Sequence, residues 1–178
     1  NESDLDYARR LFLELKTGLK YEYKSSMDRI ATSVCKEGKS DCGGMSILFV
    51  SACRANGIPA RSLFGRWAIS SQNGEKLEGV EYHQWHVKAE FYAKGIGWVP
   101  VDVSSGVLHD KSKEGLQYFG KDPGDFITFH VNDDFLLDTL HFGKAKVAFM
   151  QGPSWWVSGK GNLNNRTVKE SWNVKVLK

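Results

Sequence analysis

No stretch of this sequence approaches the about 18 to 20 consecutive apolar residues that a helix needs to cross a bilayer, so insertion into a membrane is not expected. The opening Asn1-Glu2-Ser3-Asp4 likewise has neither the basic nor the apolar segment of a secretory leader. The first residue is not Met; a removed export signal or flanking domains stay open, and no compartment is assigned. Blocks of like charge are missing too. The 24 Lys and Arg are interspersed with 21 Asp and Glu, leaving a net charge of +3 without the basic stripe by which proteins grip nucleic acid. Cysteine is scarce: Cys35, Cys42 and Cys53 form an odd set with no Cys-x-x-Cys pair. That argues against both a disulfide framework and a cysteine-based structural zinc site, and leaves at least one thiol free. There is no internal repeat and no low-complexity tract. What remains, 178 residues with 41% apolar and 25% charged, is the composition of one globular domain over residues 1–178.

Leu5, Ala8, Leu11, Phe12 and Leu15 recur at helical spacing and Gly18 follows them, which predicts an amphipathic helix from Asp4 to about Thr17. A second helix is punctuated at both ends. Met45, Leu48, Phe49 and Ala52 form an i, i+3, i+4, i+7 stripe, Asp41 is placed to cap it, and Asn56-Gly57-Ile58-Pro59 stops it. That helix should begin at Cys42. Beyond Pro59 the periodicity shortens to that of strands, at 61–69, 85–92, 98–102, 126–131, 146–150 and 172–177. Loop-like segments rich in Gly, Ser, Asn, Asp and Lys lie at 70–79, 104–125 and 152–167. Helices first and strands afterwards predict an α+β fold, with N-terminal helices packed on a mostly antiparallel sheet.

A thiol in the first turn of a helix faces unpaired backbone N–H groups and the positive end of the helix dipole, which favour thiolate over thiol. The same amides can donate to the oxyanion formed when that sulfur attacks a carbonyl. Cys42 occupies this place. A small buried residue is the bland alternative, and it is the preferred reading for Cys35 and Cys53. A cysteine nucleophile needs a His to take its proton and a carboxylate to orient the His. In the strand at 85–92, His86, Lys88, Glu90 and Tyr92 share a polar face while Trp85, Val87, Ala89 and Phe91 share an apolar one, so His86 is expected to face outward from the core. In an antiparallel hairpin turning at Gly95, Asp102 falls opposite His86 or one diagonal step away, within side-chain reach.

At these residues the sequence resembles the transglutaminase-like superfamily. DCGGMSILFVSACRANGIPAR, Asp41 to Arg61, is similar to its nucleophile segment. HVKAEFYAKGIGWVPVD, His86 to Asp102, is similar to its His-x-x-x-Glu-x-Tyr and Gly-Trp-x-Pro-Val-Asp segment. The likeness covers roughly residues 11–102 and, more loosely, Tyr118-Phe119-Gly120 and 126–131. It implies a papain-like α+β fold, with Cys42 as nucleophile, His86 as general base and then acid, and Asp102 as the orienter of the imidazole. His83 is three residues out of that register. Family transglutaminases can use a tryptophan upstream of the Cys as an oxyanion donor, but the first tryptophan here is Trp67; the hydroxyls of Tyr21 or Tyr23 are the candidate substitutes, with a core or surface aromatic near a helix end the preferred reading of both. The zinc-binding cysteine pairs of family deglycosylases and the calcium-site regions of animal transglutaminases are not seen, so no cofactor and no metal are expected.

The function implied is thiol-dependent acyl transfer on peptide or carboxamide bonds of a protein or peptide substrate, through an acyl-enzyme on Cys42, with hydrolysis expected ahead of amine transfer. A noncatalytic binding module of the same fold is the competing class; degenerate members typically lose triad residues, and none is lost here. Oligomeric state is not read from the sequence. Several other residues attract notice and carry less: Trp155-Trp156 as groove or packing, the pair His83 and His86 as metal ligands, the partnerless His109, His130 and His141, and Gly159-Lys160-Gly161 as a turn without phosphate-loop spacing.

Overall fold

The computed structural model describes residues 2–68, 76–77, 80–81 and 85–152, and beyond them 157, 159–162, 164–165 and 167. Helix α1 (Asp4–Gly18) opens on Ser3, whose hydroxyl accepts from the Asp6 N–H, and turns Ala8, Leu11 and Phe12 inward. Strand β1 (Lys20–Tyr21) pairs in parallel with β2 (Lys39–Ser40), and between them lies α2 (Ala31–Glu37). Sequence periodicity does not announce α2, because Val34 is its one buried residue.

Helix α3 (Cys42–Ala55) starts where its punctuation predicts. The Asp41 side chain caps it, accepting from the Gly44 N–H at 3.1 Å. Burial runs further round the helix than the predicted stripe, taking in Ser46, Val50 and Cys53, since α3 is packed on several sides rather than one. Its first turn needs Gly44: β2 passes so close that a Cβ there would strike the Ser40 hydroxyl.

The chain then runs through β3 (Ala60–Trp67), a two-residue pair β4 (Lys76–Leu77) and β5 (Val80–Glu81) within and just past the predicted 70–79 loop, β6 (Trp85–Ala93) and β7 (Gly97–Val101). Helix α4 (Val103–His109), β8 (Phe126–Val131), β9 (Phe135–Thr139) and β10 (Gly143–Val147) follow. The main sheet is antiparallel with the order β7-β6-β3-β8, and β9 and β10 form a separate hairpin. Where β8 meets β3 the register slips, from Phe64 opposite His130 to Gly65 opposite Thr128, and the Gly65 backbone lies against the Ile127 carbonyl with no room for a Cβ.

One face of the sheet, with Ala89, Phe91, Val99 and Val101, packs on α1 and α3. Phe49 meets Phe91 edge-on with ring centroids 6.1 Å apart, and Phe119 wedges between Phe12 and Phe91 at 5.6 and 5.8 Å. Each such ring contributes about 1.5–3 kcal/mol by leaving water. The mixed helix and sheet architecture is that of an α+β domain core.

Several expectations need correction. The predicted loop at 104–125 begins inside α4, and the strand expected at 146–150 lies at Gly143–Val147, paired with Phe135–Thr139, which the sequence reading passed over. The strand expected at 172–177 and Trp155-Trp156 lie outside the described residues. The alternation of faces along β6 is as read, but its polar face is covered at His86 and Lys88 and reaches water only further on, at Tyr92. Lys88 is 3% exposed. Residues 111–125 fold back over it, so that Asp122 bonds the Lys88 ammonium at 2.5 Å, while the Trp67 and Phe126 rings lie 5.0 and 4.4 Å from the same charge.

Candidate active site

The β6–β7 register pairs Ala89 with Val101, so Asp102, one residue past the strand, stands a diagonal step from His86. Its side chain is also the N-cap of α4. Oδ1 accepts from the Ser105 N–H at 2.9 Å and the Ser104 hydroxyl at 3.0 Å, and Oδ2 accepts from the Ser105 hydroxyl at 2.7 Å. With the Asp102 N–H donating to the Tyr118 carbonyl, a carboxylate 4% exposed is held on every side. Oδ2 then meets His86 Nε2 at 2.7 Å. Cys42 acts on the same ring: its sulfur, like the Asp102 carboxylate, favours the protonated imidazole.

The imidazole is 11% exposed and is fixed by its neighbours. Gly65, paired with His86 across the sheet, presents no side chain there, and the Trp67 ring two residues on stacks over the imidazole at 5.0 Å and 29°. Phe126 closes a second side edge-on at 6.1 Å. Burial opposes a charge on His86, yet the Asp102 carboxylate and the Cys42 sulfur outweigh it and push the imidazole up to about 10. Burial alone would likewise raise Asp102; the His86 charge, with bonds from His86 and Ser105, holds it down at about 2. The arrangement therefore stabilises an imidazolium between a carboxylate and a sulfur.

Behind Cys42, Arg29 clasps the capping Asp41 through Nε at 3.1 and 2.9 Å and through Nη2 at 2.6 Å, fixing the mouth of α3. In front of the thiol is a cavity of about 260 Å³, lined among others by Tyr23, Cys42, Phe64, Trp85 and Phe149. Of the two tyrosines considered as oxyanion donors, Tyr23 reaches this cavity and Tyr21 lines another, near Lys16 and Lys111. Trp85 lies on the apolar face of β6 as expected, but at this end of the sheet that face borders the Cys42 cavity rather than the core. The other two thiols are elsewhere: Cys35, expected to be buried, is instead exposed on α2, because that helix buries only Val34, and Cys53 is enclosed in the core, where burial pushes it up to about 12.

The core model of the transglutaminase-like superfamily matches residues 1–103, more than half of the chain. The chain belongs to the transglutaminase-like superfamily. Cys42, His86 and Asp102 all fall inside the match, which ends one residue past Asp102. The chain is also 37% identical over 89 residues to an uncharacterized protein of Haemophilus influenzae, an alignment covering 43% of this chain and 23% of that protein. Among solved structures it is similar to a chain from Cytophaga hutchinsonii described provisionally as a cysteine protease, with 18% identity and a TM-score of 0.44 over 84% of this chain and 48% of that one. The chain thus spans less than half the length of either relative.

Sequence reasoning missed Arg29, Trp67, Phe126 and Phe149. Asp102 itself is of a residue type that caps helices, the one local sign of α4. Trp67 and Phe126 carried no local sign, because their places over His86 depend on the order of strands. His130, without a named partner in the sequence, lies between the Asn132 carbonyl and the Met150 N–H, and His109 lies near Tyr118. Among the described residues no group of three or more His, Cys, Asp or Glu could hold a metal ion; His83 is outside them.

Proposed function

We propose that this superfamily member is a thiol acyl-transfer enzyme acting on peptide or carboxamide bonds, that Cys42, His86 and Asp102 carry the reaction, and that water is the main acyl acceptor. The observation that carries the reading is the buried 2.7 Å contact of His86 Nε2 with Asp102, on an imidazole whose protonated form the Cys42 sulfur also favours. The Cys42 sulfur attacks the carbonyl carbon, and the C–S bond forms as the carbonyl π pair moves onto oxygen. In the first turn of α3 the Gly44 amide is taken by the Asp41 side chain and the Met45 amide by its carbonyl, so the amides of Cys42 and Gly43 are the oxyanion donors assigned here. The His86 imidazolium gives its proton to the leaving nitrogen as the C–N bond breaks, leaving a thioester. Water then attacks that thioester, His86 takes its proton, and the carboxylic acid departs with the thiolate restored. Asp102 keeps its charge throughout and orients the ring.

Transfer to a primary amine is the second reading, favoured by the aromatic side of the Cys42 cavity, where Phe64 and Trp85 limit access of water. Incubation with a glutamine-containing peptide and a tagged primary amine, read by mass spectrometry, is expected to yield mainly the free acid. Predominant amine incorporation would reverse the choice of acceptor and leave the three residues in their roles. Iodoacetamide labelling of Cys42 no faster than that of Cys35 at neutral pH would instead favour a noncatalytic module.

A further inference from the structure

Cys42, Phe64, Trp85 and Val87 of the cavity lie within residues 1–103, whereas Phe149, which also lines it, comes from a segment the family model does not include. That segment follows β10 and is pinned in place. The Ala148 carbonyl accepts from the Asp134 N–H at 3.0 Å, and the Met150 N–H donates to His130 Nε2 at 2.8 Å. Since Nε2 accepts, the imidazole is the neutral tautomer whose Nδ1–H donates to the Asn132 carbonyl at 2.7 Å. The His130 ring lies flat on Phe64, centroids 4.7 Å apart and planes at 8°, and Phe149 stacks on Phe64 from 6.5 Å at 19°. Phe149 is held over the cavity yet remains 52% exposed, an aromatic face waiting for cover.

The cavity is mainly apolar. Phe64, Trp85, Val87 and Phe149 supply that surface, Arg29 and Asp41 are occupied with each other, and Tyr23, Ser25 and Gln151 add polar groups. Its volume of about 260 Å³ lies just under the roughly 300–1,000 Å³ of sites that enclose a whole small ligand, a size that suits one large side chain. We propose that this cavity is a substrate subsite for an aromatic or large aliphatic side chain beside the scissile carbonyl, with Phe149 as its specificity-determining residue and His130 as the residue that positions it. The inference rests on the proposed function of Cys42.

Two alkylating reagents that differ only in side chain test it without a known substrate: acetyl-phenylalanyl and acetyl-glycyl chloromethyl ketone. The Cys42 sulfur displaces chloride from the methylene carbon of either, forming a C–S bond as the C–Cl bond breaks. With rates normalised to the iodoacetamide rate of the same variant, the phenylalanyl reagent is expected to label Cys42 about 10–100-fold faster than the glycyl one. Phe149→Ala should lower that preference about tenfold, Phe149→Leu should keep most of it, and His130→Gln should fall between them. Equal rates for the two ketones, or a preference untouched by Phe149→Ala, would overturn the subsite while leaving Cys42 a nucleophile. Iodoacetamide labelling of Cys42 no faster than that of Cys35 would overturn the proposed function, and the subsite with it.

Discussion

The two cysteines of α3 stand about three turns apart in one helix and meet opposite surroundings. Cys42 opens the helix, borders a cavity and carries a sulfur that favours the protonated His86 imidazole. Cys53, 0% exposed, sits in the core beside no compensating cation, and burial pushes its thiol up to about 12. Chemical identity is shared; position relative to the helix end and to β6 is not. A cysteine's reactivity is thus a property of what the fold brings to it.

Removing each sulfur should break the symmetry most sharply. Cys42→Ala is expected to cost on the order of 10⁶-fold in kcat, as loss of a nucleophile does elsewhere. Cys53→Ala should retain turnover and lower stability by about 1 kcal/mol, the worth of one small buried group. Comparable losses of activity in both variants would end the distinction. The next largest effect belongs to Asp102→Asn. Asn caps helices as well as Asp, so α4 should survive, but the amide presents a donor to His86 Nε2 and selects the wrong tautomer, with about 10⁴-fold lower kcat and a cooperative melt retained. Full activity in that variant would move the orienting role to another carboxylate, with Glu90, on the same face of β6, to be tested first.

The pH dependence of stability sharpens the same contrast. His86 is raised from its ordinary 6.5, so its stabilising contribution is complete below that value and is lost as pH climbs through about 10. Asp102 is lowered from 3.8, so its contribution is present above that value and is lost as pH falls through about 2. Thermal midpoints should therefore be highest between these ordinary values and decline on the alkaline side, and His86→Ala should flatten the decline. Cys53 adds an alkaline loss of the same direction, because the unfolded thiol ionises at a pH where the buried one does not, and Cys53→Ala should remove that part. A decline as steep in His86→Ala as in the wild type would show that the pair contributes no linkage. An effect as small as that of Cys53→Ala is expected in the second turn of α3. The buried Ser46 hydroxyl donates to the Val87 carbonyl at 3.1 Å, tying α3 to the strand that bears His86, and Ser46→Ala should cost about 1 kcal/mol in denaturant unfolding.

Much of this was legible from spacing. The stripe of α1, the capping Asp41, the stop at Asn56 and the alternation along β6 are local patterns, and each corresponds to an observed element. The diagonal placing of Asp102 and His86 followed from the hairpin through Gly95. Local pattern failed where a segment is shaped by partners far away in the chain. Helix α2 buries Val34 alone and so has no stripe to read, and α4 is carried by the cap that Asp102 provides. Alternation told which way His86 and Lys88 point, but said nothing of what lies there.

By itself the sequence determined that a thiol would open α3 and that an imidazole and a carboxylate would share one side of neighbouring strands, because turn chemistry and the two-residue strand period act over a few residues. Only the tertiary structure decided that this side is dry at His86 and Lys88. The strand order β7-β6-β3-β8 brings Trp67 and Phe126 over His86, and residues 111–125 return Asp122 to Lys88. Whether a charged pair is screened by water or enclosed depends on such distant contacts; enclosure by itself opposes the charge on His86, and the Asp102 carboxylate held beside it outweighs that opposition.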